Sequence, residues 1–465
     1  MKSKKIKLTY TIFVFVALAA FDNIIIGLFP PLFSNIAKDL NVNLSVMGFV
    51  LAVNILSTAL SSICWGYLAG KYNRKKLIIS GTIFWSISVF LTSQSQSIIQ
   101  LFVFQAFTGV GLGCIASVGF SMLTDCIPHK FRGMILSLWG MSQGFGGIAG
   151  ALMASLIGSA TDWRKPFEIV SIIGLLLTVL YLFIKEPTLG EAEPELQELV
   201  KSGYQYNYSI KLKDLHEIAL KHSNMLLFMQ GFFMNITTGS LIWLPTLYIS
   251  KIIQQGYSPT TAIIASGYLY AMFQIGGLTS AYFGYLGDVY QRKSYKGRAL
   301  LTALFVIITL PLYCVMFIIP MNNLLLPTNN NPALILLGLL KQIIVNPWIT
   351  ATFILAFMAS ATQSANTPNW LALITDVNLP EHRGAAFSAA NFASSLGRTL
   401  GNIGIGVLLG VISSNIGETN SYIITLILLQ LFLIPSAYCY FKMAKSNVKD
   451  INNVKMLLRS RAKPE

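Results

Sequence analysis

The sequence predicts an all-α integral membrane protein of twelve transmembrane helices arranged as two six-helix bundles. Three observations predict it. The chain is too poor in charge to wet a soluble surface, its apolar stretches are of membrane-crossing length, and two segments of its first half recur in its second. Of 465 residues, 54% are hydrophobic and only 11% are charged, against about 25% charged in soluble domains. A helical bundle in lipid needs no charged coat, because its helices satisfy their own backbone groups and its outer face matches the hydrocarbon. The five cysteines (Cys64, Cys114, Cys126, Cys314, Cys439) lie in or beside apolar stretches without a CxxC pair, so neither a disulfide framework nor a zinc site is implied.

A span needs roughly 20 apolar residues. In chain order such stretches lie near 8–33, 46–70, 77–95, 99–124, 134–158 and 167–184, then near 226–253, 260–286, 299–320, 349–375, 385–412 and 421–442. The first is long enough to span and contains Asp22, unlike a cleavable signal peptide. The halves are therefore residues 1–184 and 225–445, joined by a polar linker at 185–224 and followed by a basic tail at 446–465. In the linker, Glu191, Glu193, Glu195 and Glu198 form a solvated run, and Ile210, Leu212, Leu215 and Ile218 suggest a short amphipathic helix on the inner face. With both termini in the cytoplasm, 27 of the 33 lysines and arginines fall inside, the positive-inside arrangement expected of a multi-pass protein of the plasma membrane. Their dispersal over short loops argues against a nucleic-acid-binding face, despite a net charge of +15.

The halves are duplicates. Residues 66–75 (Gly-Tyr-Leu-Ala-Gly-Lys-Tyr-Asn-Arg-Lys) align with 284–293 (Gly-Tyr-Leu-Gly-Asp-Val-Tyr-Gln-Arg-Lys), identical at six of ten positions. Asp125, Arg132, Gly133, Ser137, Gly146 and Gly150 recur as Asp376, Arg383, Gly384, Ser388, Gly397 and Gly401. The offset grows from 218 to 251 between the two matches, which places an insertion at 321–348 on the outer side. Its run 333–345 is too short to span and is expected to lie at the interface or cap the bundle.

This doubled loop in a six-plus-six plan resembles the major facilitator superfamily over essentially the whole chain. The resemblance implies a secondary transporter working by alternating access, with a central cavity walled by the first, fourth, seventh and tenth spans. Within the superfamily, four marks are similar to the spinster-like lipid transporters: Tyr72-Asn73-Arg74-Lys75, Asp162-Trp163-Arg164 with Phe167, Lys185-Glu186-Pro187 with Gly190, and Gly239 with Trp243 and Pro245. The closer resemblance implies an amphipathic or anionic, lysolipid-like substrate. A multidrug exporter or a sugar or organic-anion carrier is the alternative, and a non-transporting receptor or a polytopic membrane enzyme is more remote. Three places depart from the spinster pattern. Gly70 stands where the second half has Asp288, Asp22-Asn23 replaces an Asp-Arg pair, and Leu112 replaces a glutamate.

Asp22 is the only acid placed inside a span away from its ends, where an ionised carboxylate costs at least about 2.5–3.5 kcal/mol. Arg398 is the only base so placed. Each sits 14 residues into its helix, roughly 21 Å along it, so the two are expected at similar depth facing the cavity, beside Asn23. They are expected to pair, or Arg398 to bind an anionic head with its forked donors. A substrate that displaces Asp22 would free it to take a proton. Snorkelling of Arg398 to the headgroups is the plainer alternative. The tenth span carries the polar run 362–370 with Gln363, Asn366 and Pro368, and the seventh offers Asn235, Thr238 and Trp243. These are candidates for substrate contact, with ordinary inter-helix hydrogen bonding as the alternative.

Arg74, Asp125, Arg132, Asp288, Arg292, Asp376 and Arg383 are expected to form a cytoplasmic gate, paired in one state and parted in the other. The glycine run 109–113 has no strand before it and reads as close helix packing. All four histidines fall in cytoplasmic segments and no P-loop is present. No catalytic residue, metal or cofactor is therefore expected. The expected partners are the bilayer, a small molecule and protons, with the chain acting as a monomer.

Overall fold

The computed structural model describes residues 2–42, 46–127, 132–158, 162–184, 212–327 and 331–461, so the linker stretch 185–211 lies outside them. Among the described residues every regular element is a helix. The first and second spans are Lys2–Asp39 and Val46–Ala69, and the third is Arg74–Ser93. The fourth, Ile98–Cys114, continues through the π-helical turn Ile115–Gly119 into Phe120–Cys126. The fifth is Arg132–Met153 with a π-helical turn at Ala154–Gly158, and the sixth is Arg164–Tyr181. After the short helix Leu212–Leu220 come the seventh to ninth spans, His222–Ile253, Pro259–Lys293 and Gly297–Ile318. Pro347–Val377, Arg383–Ile416 and Glu418–Arg461 complete the twelve.

Eight of these are by themselves long and apolar enough to cross a bilayer. The fifth contributes a shorter apolar stretch, Gly144–Gly158, and the sixth carries Arg164, Lys165 and Glu168 near its start. The tenth passes the same test together with the bent helix Pro332–Val345 before it, and the eleventh carries Arg398 in mid-course. The bundle end with the 69–74 and 293–297 connections is called here the basic end, and the opposite one the far end.

Helix starts follow local chemistry. Asn73, Ser97, Ser258, Asn331 and Asn346 cap helices by accepting a first-turn N–H. Pro259, Pro332 and Pro347 then occupy first-turn positions whose N–H would go unused. At Asn346 the helix Pro332–Val345 turns by 96° into the tenth span. This short helix lies against the far end, with Ile335 and Leu339 buried and Tyr268 donating to the Pro332 carbonyl at 3.1 Å.

The two halves pack alike. The first span lies on the fifth, the second on the fourth, and the third on the fourth and sixth; the seventh lies on the eleventh, the eighth on the tenth, and the ninth on the tenth and twelfth. The halves meet where the second span touches the eleventh and the fifth touches the eighth. The repeated glycines mark the tightest seams. A Cβ at Gly146 or Gly150 would lie 2.4 Å from the carbonyl oxygens of Ala20 and Ile24. At Gly397 and Gly401 it would lie 2.0 and 1.9 Å from those of Phe232 and Ile236. Backbones this close admit only glycine. Gly109 and Gly113 press likewise on the carbonyls of Asn54 and Thr58, so the 109–113 run serves helix packing.

Among the described residues several spans are interrupted in mid-course, the twelfth at 431–432. The seventh has a 3-10 turn at Leu241–Trp243 and the eighth at Gly276–Thr279. The tenth breaks between Ser364 and Asn366, because Pro368 has no N–H for the Ser364 carbonyl. The twelfth span runs on as the helix Leu433–Arg461, with Met443, Asn447, Ile451, Val454 and Leu458 on its buried face. Most of the 446–465 tail is thus folded against the basic end. There Lys455 donates to the Tyr295 hydroxyl at 3.0 Å and Arg461 meets Glu381 at 2.6 Å.

Candidate functional site

Between the halves lies a cavity of about 250 Å³. Contacts cross between the halves at both of its ends. At the far end Asn402 of the eleventh span donates to the Gly48 carbonyl of the second at 3.0 Å. Asn402 also accepts from the Trp243 indole N–H at 2.6 Å, and Phe33 packs on Trp243. At the basic end Ser388 donates to the Ser62 carbonyl at 3.3 Å, and Phe120 stacks on Phe387 with ring centres 4.1 Å apart.

The wall is uneven in chemistry. The first half contributes mainly Ile26, Ile55, Leu112 and Ile115, with Asn23, Asn54 and Thr58. The second half contributes most of the polar surface, including Asn235, Thr238, Gln274, Gln363, Asn366, Asn391 and Arg398. Among the described lining residues Arg398 is the one charged side chain. It faces the cavity rather than the headgroups. Asn23 and the candidates Asn235, Thr238, Gln363 and Asn366 also line the space. The side chain of Asp22 lies outside the described residues, although its neighbour Asn23 lines the wall. Trp243 is not among the residues that line the cavity; its indole N–H donates to Asn402 and its ring meets Phe33 at the far end.

Behind the lining, hydrogen bonds orient the polar groups. Gln363 donates to the Thr238 hydroxyl at 3.3 Å, and its oxygen accepts from the Tyr313 hydroxyl. Asn366 accepts at one oxygen from Gln230 and from the Tyr440 hydroxyl, each at 2.8 Å. Asn235 turns back to the Gly231 carbonyl at 2.8 Å. Asn54 donates to Gln105 at 3.0 Å, which donates on to Thr92 at 2.9 Å.

The expected gate charges brace each half from within. Arg74 of the third span pairs with Asp125 of the fourth at 2.7 Å, both buried. In the second half Arg298 lies 2.8 Å from Asp288 and 3.8 Å from Asp376, joining the eighth, ninth and tenth spans. Gln291 adds a bond to Asp376 at 3.4 Å, and buried Arg383 donates to the Thr375 carbonyl at 3.2 Å. Arg292 is exposed and does not join this cluster. The eighth span runs on to Lys293 whereas the second stops at Ala69. The counterpart of Arg74 at the head of the next helix is therefore Arg298, which gapless alignment passes over. The side chain of Arg132 lies outside the described residues. Among the described residues, the named contacts that close the basic end between the halves are uncharged.

Sequence reading missed Arg298, Asn402, Tyr313 and Tyr440. Arg298 was signalled by its place one residue into the ninth span. The two tyrosines gave no signal, since in apolar stretches they pass for packing.

Comparison with known proteins agrees with this architecture. The protein-family model described as Major Facilitator Superfamily matches residues 12–353. Protein spinster of Drosophila melanogaster is 26% identical over 34% of this chain and 27% of its own length. The sphingosine-1-phosphate transporter SPNS2 of Xenopus tropicalis is 22% identical over 83% of this chain and 70% of its own length. Among solved structures, a bacterial homologue of the human lysosomal transporter spinster, inward-facing and occupied, superposes with a TM-score of 0.62. It is 17% identical over 96% of this chain and 98% of that one. Duplicated halves around one cavity, with that family model matching most of the chain, show that this chain belongs to the Major Facilitator Superfamily.

Proposed function

We propose that this protein is a secondary transporter of a small organic anion, working by alternating access in the plasma membrane with both termini in the cytoplasm. The observation that carries the reading is the polar wall of the second half, with Arg398 as its one charge among the described lining residues. A guanidinium in a cavity between helices favours a carboxylate, sulfonate or phosphate through paired charge-assisted hydrogen bonds. The volume, about 250 Å³, lies just under the roughly 300–1,000 Å³ of drug-sized sites, which suits a compact anion. A second reading, a lysolipid-like substrate, is favoured by the apolar face that the first half offers and by the similarity to SPNS2. In that reading the cavity takes the head alone.

Asp22 would supply the coupling. An anion bound at Arg398 frees Asp22 to accept a proton, so that transport follows a pH gradient. The test is uptake into proteoliposomes, with and without an imposed pH gradient, of benzoate, benzenesulfonate and a lysophosphatidic acid. Uptake of at least one, abolished by Arg398→Gln, is expected. Asp22→Asn should keep binding and lose the response to pH. Transport of a cationic dye or a sugar in place of all three would overturn the reading. Orientation is tested separately: Cys at Gln94 should react from outside intact cells and Cys at Lys449 should not.

A further inference from the structure

Gln363 and Asn366 flank the break in the tenth span, and both line the cavity. Each has a tyrosine behind it. Tyr313 of the ninth span donates its hydroxyl to the Gln363 oxygen, and Tyr440 of the twelfth donates to the Asn366 oxygen at 2.8 Å. Both tyrosines are wholly buried, so neither hydroxyl can turn to water instead.

The polarity of the two amides follows from counting protons. The Thr238 hydroxyl donates to the Met234 carbonyl at 3.1 Å, so its oxygen needs the donor that Gln363 supplies. Turning Gln363 over would set its oxygen against that of Thr238 and leave the Tyr313 proton without an acceptor. Around Asn366, Gln230 donates to the Asn366 oxygen at 2.8 Å and to Ser436 at 3.1 Å. Turning both amides over would strand the Gln230 nitrogen and the Tyr440 proton. In the arrangement present, the atom left over among Gln230, Asn366, Ser436 and Tyr440 is Gln230 Oε1, an acceptor. An under-used acceptor is more readily tolerated than a buried donor. The oxygens of both amides therefore face backward, and the nitrogens are what remain for the cavity.

We propose that Tyr313 and Tyr440 are positioning residues that hold Gln363 and Asn366 with their N–H groups toward the cavity, making this wall selective for groups that only accept hydrogen bonds. Carboxylate, sulfonate and phosphate oxygens satisfy such a wall, whereas an ammonium meets donors with donors. The inference rests on the organic-anion reading and explains how the site would reject a cation of the same shape, beyond the charge of Arg398.

Tyr→Phe removes the hydroxyl, keeps the ring and leaves the amide free to turn. The experiment measures proteoliposome uptake of benzoate, with benzamide and benzylamine as competitors of matched shape. Wild type is compared with Tyr313→Phe, Tyr440→Phe and Tyr181→Phe, the last being a buried tyrosine of the sixth span whose hydroxyl meets Met122 away from the cavity lining. Each of the first two should raise KM for benzoate roughly three- to tenfold with kcat within about twofold, and should lower the preference over benzylamine by a similar factor. Tyr181→Phe should do neither. Gln363→Glu, which puts an acceptor where the donor stood, should move the preference toward benzylamine. If both Tyr→Phe variants melt like Tyr181→Phe and keep wild-type KM and preference, the positioning role is wrong while the anion reading stands. If wild type prefers benzylamine or takes up no benzoate, the anion reading falls and this inference with it.

Discussion

Arg298 holds Asp288 at 2.8 Å with both groups buried, whereas Arg292, six positions earlier, is exposed. Removing one member of a buried ionic cluster leaves its partners uncompensated, at a cost of about 3–5 kcal/mol. Arg298→Ala should therefore lower the melting temperature strongly in detergent or nanodiscs, and Arg292→Ala should leave it nearly unchanged; equal effects would reassign the cluster. His382, in the Pro380–His382 turn, is set 3.7 Å from Asp214 of the short linker helix. Its pKa lies below the ordinary 6.5, chiefly because burial disfavours the charged ring, against the pull of Glu381 and Asp214. The unfolded chain thus binds this proton more readily than the folded one. The contribution of His382 is full above about pH 6.5 and declines as pH falls through the folded value. Hydrogen exchange in the 380–382 turn should quicken on acidification below neutrality, and His382→Gln should flatten that response. Asn366, Gln363 and Arg398 were legible in the sequence because amides and a charge stand out against an apolar run. Tyr313 and Tyr440 were not, since a hydroxyl's partner depends on which helices pack together and tyrosine sits in apolar runs without exciting notice.

The seams between elements make their own demand. Gly397 and Gly401 face the seventh-span backbone at distances a methyl group cannot occupy, while a Cβ at Gly406 would meet nothing within 4 Å. Gly401→Ala should cost about 1–3 kcal/mol by prising the eleventh span off the seventh. Gly406→Ala should gain up to about 1 kcal/mol from helix propensity alone. Thermal melts of the two variants moving in the same direction would contradict the seam. The duplicated glycines were visible as a repeat, and their four-residue step already implied a helix face. Which face met which helix was not visible, because the partner carbonyls of Phe232 and Ile236 carry no mark in the sequence. The tail escaped for a similar reason. Its lysines read as a soluble extension, while Ile451, Val454 and Leu458 bury themselves only because the 8–9 and 10–11 connections supply a surface.

At the scale of the whole molecule, one pair of helices carries a hydrogen bond between the halves at each end of the cavity. Fourteen positions separate Gly48 from Ser62 on the second span, and fourteen separate Ser388 from Asn402 on the eleventh, roughly 21 Å of helix. Each end is fastened by a side chain of the eleventh span donating to a main-chain carbonyl of the second, a bond worth about 0.5–1.5 kcal/mol. Asn402→Ala should shift the population toward opening at the far end, and Ser388→Ala toward opening at the basic end, each several-fold. Spin-label distances across the two ends would read both, and shifts of the same sign would refute the arrangement. The lopsided wall has a further consequence, for the energetics of a full cycle. On the proposed reading, an anion held by Arg398 and the tenth-span amides would stay with the second half as the halves rock apart, while the first half withdraws like a door. The passenger then meets the same donors whichever door is ajar. Half-saturation measured from the two faces of the membrane should agree within a few-fold, leaving the direction of net flux to the gradients across the bilayer.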